Sequence, residues 1–367
     1  MENNKLNRRG PLAGLRVVEF AGLGPGPFAC MLLSDMGAEV VTIDRPGRKP
    51  GDPRDIIGRG RTVVTADLKD PAERDSVLAL LEQADVLVEG FRPGVMERLG
   101  LGPDAVAQRN PRLVYGRITG WGQSGPLAHA AGHDINYISL TGALDAIGPA
   151  ETPSIPLNLI GDYGGGSLYL VCGILAALHE RQTSGKGQTI DAAITDGTLS
   201  LMSMFASFAL RGNFVEQRQS NLLDGGAPFY SVYPTADGRH VSVGPLEPQF
   251  FALLCERLGV KQELRAAQYE RARWPELRAE LARLFAARTQ AECRELLEGS
   301  DACVAPVLTL SESMAHPHNV AREATVDVDG IRHPAPAPRF SRTPSAIQGS
   351  APVETQSLDA VLRRWSD

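Results

Sequence analysis

Along the first 120 residues, apolar and polar positions alternate in a steady rhythm. Short β-branched runs end in glycine-containing turns, and each is followed by a segment in which apolar residues return every three or four positions. Val17 and Val18 lead into "AGLGPGP", then into the periodic positions Phe28, Met31, Leu32 and Leu33, and "AEVVTID" closes on Asp44. "RTVVTADLKD" predicts a strand at residues 62–65 and "PAERDSVLALLEQA" a helix with acidic residues in its first turn. "DVLVEGF" and "RLVYGRITGWG" predict two further strands. Strand–helix alternation of this kind predicts a parallel sheet whose ligands gather beyond the carboxyl ends of its strands.

The pattern then changes twice. From about residue 161 to 210 it is long-helical, through "GGGSLYLVCGILAALHERQTSGKGQ" and "DAAITDGTLSLMSMFASFALRG". From "NLLDGGAPFYSVYPTADGRHVSVG" onward it becomes short strands with turn residues, then helices through Leu297. Residues 221–318 are therefore expected to form a second, smaller α+β domain. The large α/β domain is expected over residues 11–200, completed by a returning arm at 325–367. "RHPAPAPRFSRTPSA" in that arm is proline-rich and reads as extended chain.

Composition narrows the function classes. The 367 residues suffice for two domains with substantial cores, and a 43% hydrophobic, 22% charged composition is that of an ordinary globular protein. A net charge of -6 argues against nucleic acid or an anionic membrane as the main partner. No run approaches the roughly 18 continuous apolar residues of a membrane span. The polar start "MENNKLNRRG" carries no apolar signal core, so a cytoplasmic location is expected. Five cysteines (Cys30, Cys172, Cys255, Cys293, Cys303) without a C-x-x-C pair read as reduced core residues rather than as a catalytic thiol. No metal motif is present.

The first turn invites a nucleotide reading and half refuses it. Gly22 and Gly24 fit a Gly-x-Gly-x-x-Gly fingerprint, but Pro27 takes the third place, and Pro25 and Pro27 lack the N–H groups a phosphate cradle needs. Basic residues nevertheless stand at successive strand ends: Arg45, Lys69, Arg92 and Arg98. Each alone reads as a solvated charge; four together point to an anionic, phosphate-rich ligand. In "AGHDINYISLTG", His133 and Asp134 come directly before periodic apolar residues, so they are expected at a helix N-terminus. There free amides can receive a developing oxyanion and the helix end favours a neutral imidazole. The structural alternative makes Asp134 a cap and His133 a turn residue. Asp162 in "NLIGDYGGGSL" is followed by three glycines, which would let a carboxylate approach a substrate, or alternatively is itself an N-cap.

"LLSDMGAEVVTIDRP", "ADLK", "VLVEGFRPGVMERLGL", "RITGWGQSGP", "AGHDINYISLTG", "SGKGQTIDAAITDG" and "LDGGAPFY" occur here in that order. Together they resemble the class III CoA-transferase superfamily, and within it the branch that racemises 2-methylacyl-CoA thioesters. The resemblance implies a Rossmann-like large domain, a small domain and an intertwined homodimer, with acyl-CoA as substrate and no added cofactor, coenzyme A being part of the substrate. It places coenzyme A contacts at Arg45; at Ala66, Asp67, Leu68 and Lys69; at Gly90, Phe91 and Arg92; at Arg98; and at Gly132, Ile135, Asn136 and Tyr137. It implies that His133 and Asp162 act as two bases on opposite faces of the acyl α-carbon, His133 serving the S and Asp162 the R enantiomer. Asp134 would offer the amide that receives the enolate, and Asn158 and Glu247 would support the histidine, Glu247 either from the same chain or, in an intertwined dimer, from the partner chain. The competing chemistry of the superfamily uses the residue matching Asp162 as a nucleophile, through an aspartyl anhydride and then an aspartyl-CoA thioester.

Overall fold

The computed structural model describes residues 8–48 and 51–366. Most of the polar amino-terminal segment, and the last residue of the expected arm, lie outside the described residues. The chain divides into two compact units. The first holds the chain up to Thr141, Leu157–Met202 and the chain from His318; the second holds Gly142–Pro156 and Ser203–Pro317.

In the first unit, β1 (Arg16–Phe20), β2 (Glu39–Asp44), β3 (Arg61–Thr65), β4 (Val86–Glu89), β5 (Val114–Thr119) and β6 (Thr189–Ala193) form one sheet. Its order is β3-β2-β1-β4-β5-β6, and every pair is parallel. The strand order reverses between β1 and β4, which opens a crevice at the carboxyl ends there. The strands are Val- and Ile-rich because both faces are covered. On one face, α1 (Pro25–Asp35) starts with prolines in its first turn and buries Ala29, Cys30 and Leu33 against Val17, Val40 and Val86. On the other, α2 (Pro71–Glu82) is capped by the Asp70 carboxylate, which accepts from the Ala72 and Glu73 amides, and buries Val77, Leu80 and Leu81 against Val18, Val41 and Leu87. Each such leucine contributes about 1.5–3 kcal/mol over an exposed one.

Beyond β5 the chain forms α3 (Asp134–Ser139), a π-helical segment Leu159–Leu168 running into α4 (Tyr169–Ser184), then β6 and α5 (Ile194–Leu201). β6 was hidden inside the stretch expected to be long-helical. It is short, ends in two alanines, and has exposed residues at Thr189 and Asp191, so it carries little apolar periodicity of its own; pairing with β5 makes it a strand. The helical run Leu159–Ser184 is, by length and composition alone, long and apolar enough to cross a membrane, although glycines interrupt its sequence. Here Leu170, Ile174 and Ala177 are buried against the sheet with Val114, Ile118 and Ala192.

The second unit has an antiparallel sheet, β7 (Ser231–Pro234), β8 (His240–Val243) and β9 (Val304–Pro306), in that order. Helices α6 (Pro248–Leu258), α7 (Trp274–Ala286) and α8 (Gln290–Leu297) bury Phe251, Leu281 and Phe285 with Phe229, Tyr233 and Val241. Of the expected 221–318, residues 221–317 belong to this unit and His318 to the first, and residues 142–156 and 203–220 belong here as well.

The returning arm opens with a hairpin, β10 (Thr325–Val328) and β11 (Ile331–Pro334), and its Gln356 bridges to Val64 at the edge of β3. It is extended in between, but it ends in α9 (Leu358–Ser366), which the proline-rich reading did not anticipate. Leu358, Val361, Leu362 and Trp365 share one helical face, and that face joins the core around α2. Cys30, Cys255 and Cys293 are buried as expected; Cys172 and Cys303 are exposed, against the expectation, and all five are free.

Candidate active site

A cavity of about 450 Å³ opens at the carboxyl ends of β1, β4 and β5. The turn at residues 22–27 forms one wall; Glu89, Gly90, Thr119 and Gly120 form the floor; His133, Asp134, Tyr137, Asn158 and Asp162 line the rest. The size is that of a small-molecule site.

His133 directly precedes α3 with extended backbone (φ -132°, ψ 174°), as the sequence predicted. Its N–H donates to Asn136 Oδ1 at 3.0 Å, so the expected ligand contact Asn136 is engaged in fixing the helix start. Asp134 opens α3. Its Oδ1 accepts the Asp162 backbone N–H at 2.6 Å, which ties the two acidic segments together, while its Oδ2 is buried with no partner among the described residues. Burial raises the Asp134 carboxyl above its ordinary range, against the bonds from the Asp162 and Gly161 amides.

Asp162 is half-buried in the π-helical segment. Burial and then the Asp134 charge push its carboxyl up, while the Asn158 hydrogen bond and nearby His133 pull it down. The segment is locked by Ser167 Oγ, which donates to Pro25 O (2.7 Å) and lies 3.0 Å from Asp162 O. The three glycines after Asp162 have another use than clearing space for a substrate. A Cβ at Gly165 would meet Thr198 Oγ1 at 2.4 Å and one at Gly197 would meet Gly165 O at 1.9 Å, so the run allows α5 to pack directly on the π-helical backbone. The glycine that does serve Asp162 is Gly24: with φ +71°, its missing Cβ would sit 3.0 Å from Asp162 Oδ2.

Tyr137 donates its hydroxyl to Gly132 O, and its ring meets Trp121 edge-on at 4.8 Å. Burial first, then the Asp162 charge, raises its phenol. Ile135 sits on α3 beside them. Arg45 follows β2, Lys69 follows β3, and Arg92 and Arg98 follow β4; all four are exposed, and among the described residues none pairs with a carboxylate. Asp44 is instead held by Arg48 at 3.0 Å. Ala66 is buried, Leu68 packs on the core, and the Asp67 amide donates to Glu73 Oε2 at 2.7 Å, so this segment presents Lys69 from a fixed turn. Phe91 packs 6.2 Å from Phe20. Glu247 belongs to the second unit, immediately before α6.

Sequence reasoning overlooked Gly24 as a neighbour of Asp162, and the buried pair Glu89 and Arg117, which face each other across β4 and β5. A signal for the pair existed: a single charge near the end of each of two otherwise apolar strands, "VLVEGF" and "VYGRIT".

The doubly wound sheet, its switch-point cavity, the histidine–carboxylate pair and a row of cations without ion pairs among the described residues define a site suited to acid–base chemistry on an anionic ligand. Residues 12–356 match CoA-transferase family III, and the chain belongs to that family. It is similar to alpha-methylacyl-CoA racemase of Mus musculus, 46% identical over 336 residues that cover 91% of this chain and 87% of that one. The racemase of Homo sapiens is 45% identical over the same shares. Among solved structures, a CAIB/BAIF family protein from Brucella suis superposes with a TM-score of 0.80 at 26% identity, covering 98% of this chain and all of that one.

Proposed function

We propose that this protein is an isomerase that interconverts (R)- and (S)-2-methylacyl-CoA thioesters by 1,1-proton transfer. The observation that carries the reading is that His133 and Asp162, side chains of two different base types, line one cavity on separate elements that Asp134 fastens together. The likeness to two racemases over nine-tenths of the chain supports it. One base removes the α-proton, the thioester carbonyl takes up the charge as an enolate, and the other base returns a proton to the opposite face. The Asp134 N–H, first of α3 and without an intrahelical acceptor, is the donor suited to the enolate oxygen. A raised Asp162 carboxyl is a stronger base than an ordinary aspartate and a better-matched proton donor on the return step.

In the same reading Arg45, Lys69, Arg92 and Arg98 meet the phosphates of coenzyme A, the remaining family contacts hold its adenosine and pantetheine, and no cofactor beyond the substrate's own coenzyme A is needed. Placement in cytoplasmic fatty acid metabolism belongs to it too. So does a homodimer, which the exposed leucines Leu140, Leu157, Leu159, Leu168 and Leu199 of the first unit favour. Light scattering that finds an active monomer would remove the dimer from the reading.

A transferase using Asp162 as nucleophile is the second reading, favoured by the family to which the chain belongs. Solvent deuterium decides between them. The racemase exchanges the α-proton of a 2-methylacyl-CoA with no acceptor acid present, whereas a transferase without an acceptor leaves the label out.

A further inference from the structure

Arg117 and Glu89 stand opposite each other across β5 and β4, 6% and 1% exposed, and Glu89 lines the cavity. Arg117 Nε donates to Glu89 Oε1 at 2.8 Å, and the far edge of the same guanidinium reaches Glu97, with Nη1 to Oε1 at 2.7 Å and Nη2 to Oε2 at 3.3 Å. The other Glu89 oxygen, Oε2, accepts the Phe91 backbone N–H at 2.7 Å. One buried cation thus grips the segment after β4 at two points, Phe91 through Glu89 and Glu97 directly. Between and beside those points lie Arg92 and Arg98, and the Val95 N–H donates to Arg92 O at 3.1 Å to start the short helix Val95–Arg98.

Buried ion pairs are poor stabilisers, because desolvation offsets most of their attraction, and apolar residues of similar volume often serve stability as well. What a planar guanidinium with fixed donors does supply is geometry. We infer that Arg117 is a positioning residue for thioester binding: it clamps residues 90–98 so that Arg92 and Arg98, exposed and without an ion pair among the described residues, keep a fixed separation. The inference rests on the reading of those two arginines as coenzyme A contacts. Without the clamp, the binding event itself would have to order the segment, and affinity falls by that ordering cost.

The test uses the full chain and coenzyme A itself, titrated calorimetrically. R117M should bind coenzyme A about tenfold more weakly than wild type, but lose less than about twofold when introduced into an R92A/R98A background, because the clamp acts through those side chains. E97Q cuts the network on its exposed side, where Glu97 is 45% exposed and folding is not at stake, and should show the same dependence on background at about threefold. Equal losses in both backgrounds would mark a merely structural residue and overturn the inference, as would wild-type affinity in both variants. A wild-type protein that binds coenzyme A yet exchanges no α-proton sinks the racemase reading and leaves the clamp standing; one that binds no coenzyme A overturns both.

Discussion

Around His133 and Asp162 the carboxylates are half-buried, and hydrogen bonds to backbone and to Asn158 hold them in place. Along the same sheet edge, at the ends of β2, β3 and β4, Arg45, Lys69 and Arg92 are exposed and carry no ion pair among the described residues. The first region spends desolvation on tuning: burial raises both aspartates, which suits proton transfer and tolerates little displacement. The second leaves its cations hydrated, so in the proposed reading solvent and salt screen what each contributes to binding an anion. Substitutions in the tuned region should therefore remove turnover steeply, and those in the solvated region should weaken binding moderately.

The largest effect is expected from removing a base. His133→Ala and Asp162→Ala should each slow racemisation by roughly 10²–10⁴-fold, the range for a positioned acid or base. They should fail differently: in deuterium oxide, His133→Ala keeps slow exchange of the R enantiomer through Asp162, and Asp162→Ala keeps that of the S enantiomer. Undiminished racemisation by His133→Ala would refute the two-base mechanism, and a covalent adduct trapped on Asp162 would favour the transferase.

Next comes the wall that holds the second base. Gly24→Ala places a methyl group 3.0 Å from Asp162 Oδ2 on a residue whose φ of +71° disfavours any side chain. A displacement of about an ångström at a reacting group lowers kcat by about 10²-fold. Gly14→Ala is the control: it sits outside the cavity lining, has a comparable positive φ of +91°, and its Cβ would meet nothing within 4 Å. Equal kinetics for the two variants would mean that the turn does not position Asp162.

How much of this was legible in the sequence follows the same division. The parallel sheet, the His133 helix start and the strand-end cations each rest on local patterns: β-branched runs, a residue before apolar periodicity, a charge after a strand. The glycines after Asp162 were misread because their reason is the approach of α5, a partner some thirty residues further on. β6 and α9 were missed for a related cause: the strand exists through pairing with β5, and the helix by docking four apolar residues on a core assembled 280 residues earlier. Glu89 and Arg117 carried a local signal, but their purpose is a contact between strands that the linear order does not display.

In the solvated region, Arg45→Ala or Arg98→Ala should weaken thioester binding by about 1–3 kcal/mol each, the range for a charge-assisted contact. KM should rise with kcat little changed, and the gap to wild type should narrow as salt is added, because exposed charges are screened within about 10 Å at 0.1 M. Unchanged KM values in both variants would remove these residues from the site and leave the comparison with only its tuned half.

The finest test separates the two causes that raise Asp162. Burial acts on the carboxyl whatever its neighbours, whereas the Asp134 contribution is a like-charge repulsion that a neutral residue abolishes. Asp134→Asn keeps an oxygen to accept the Asp162 N–H, so the bond that joins α3 to the π-helical segment is preserved while the charge is lost. Asp162 then ionises more readily. It works as a base in its deprotonated form, so exchange of the enantiomer it serves rises with pH through its pKa, and that rising limb should move to lower pH in the variant. An Asp162-dependent limb that stays where it was would show that burial alone tunes the carboxylate, and that Asp134 serves the site through its hydrogen bond and not through its charge.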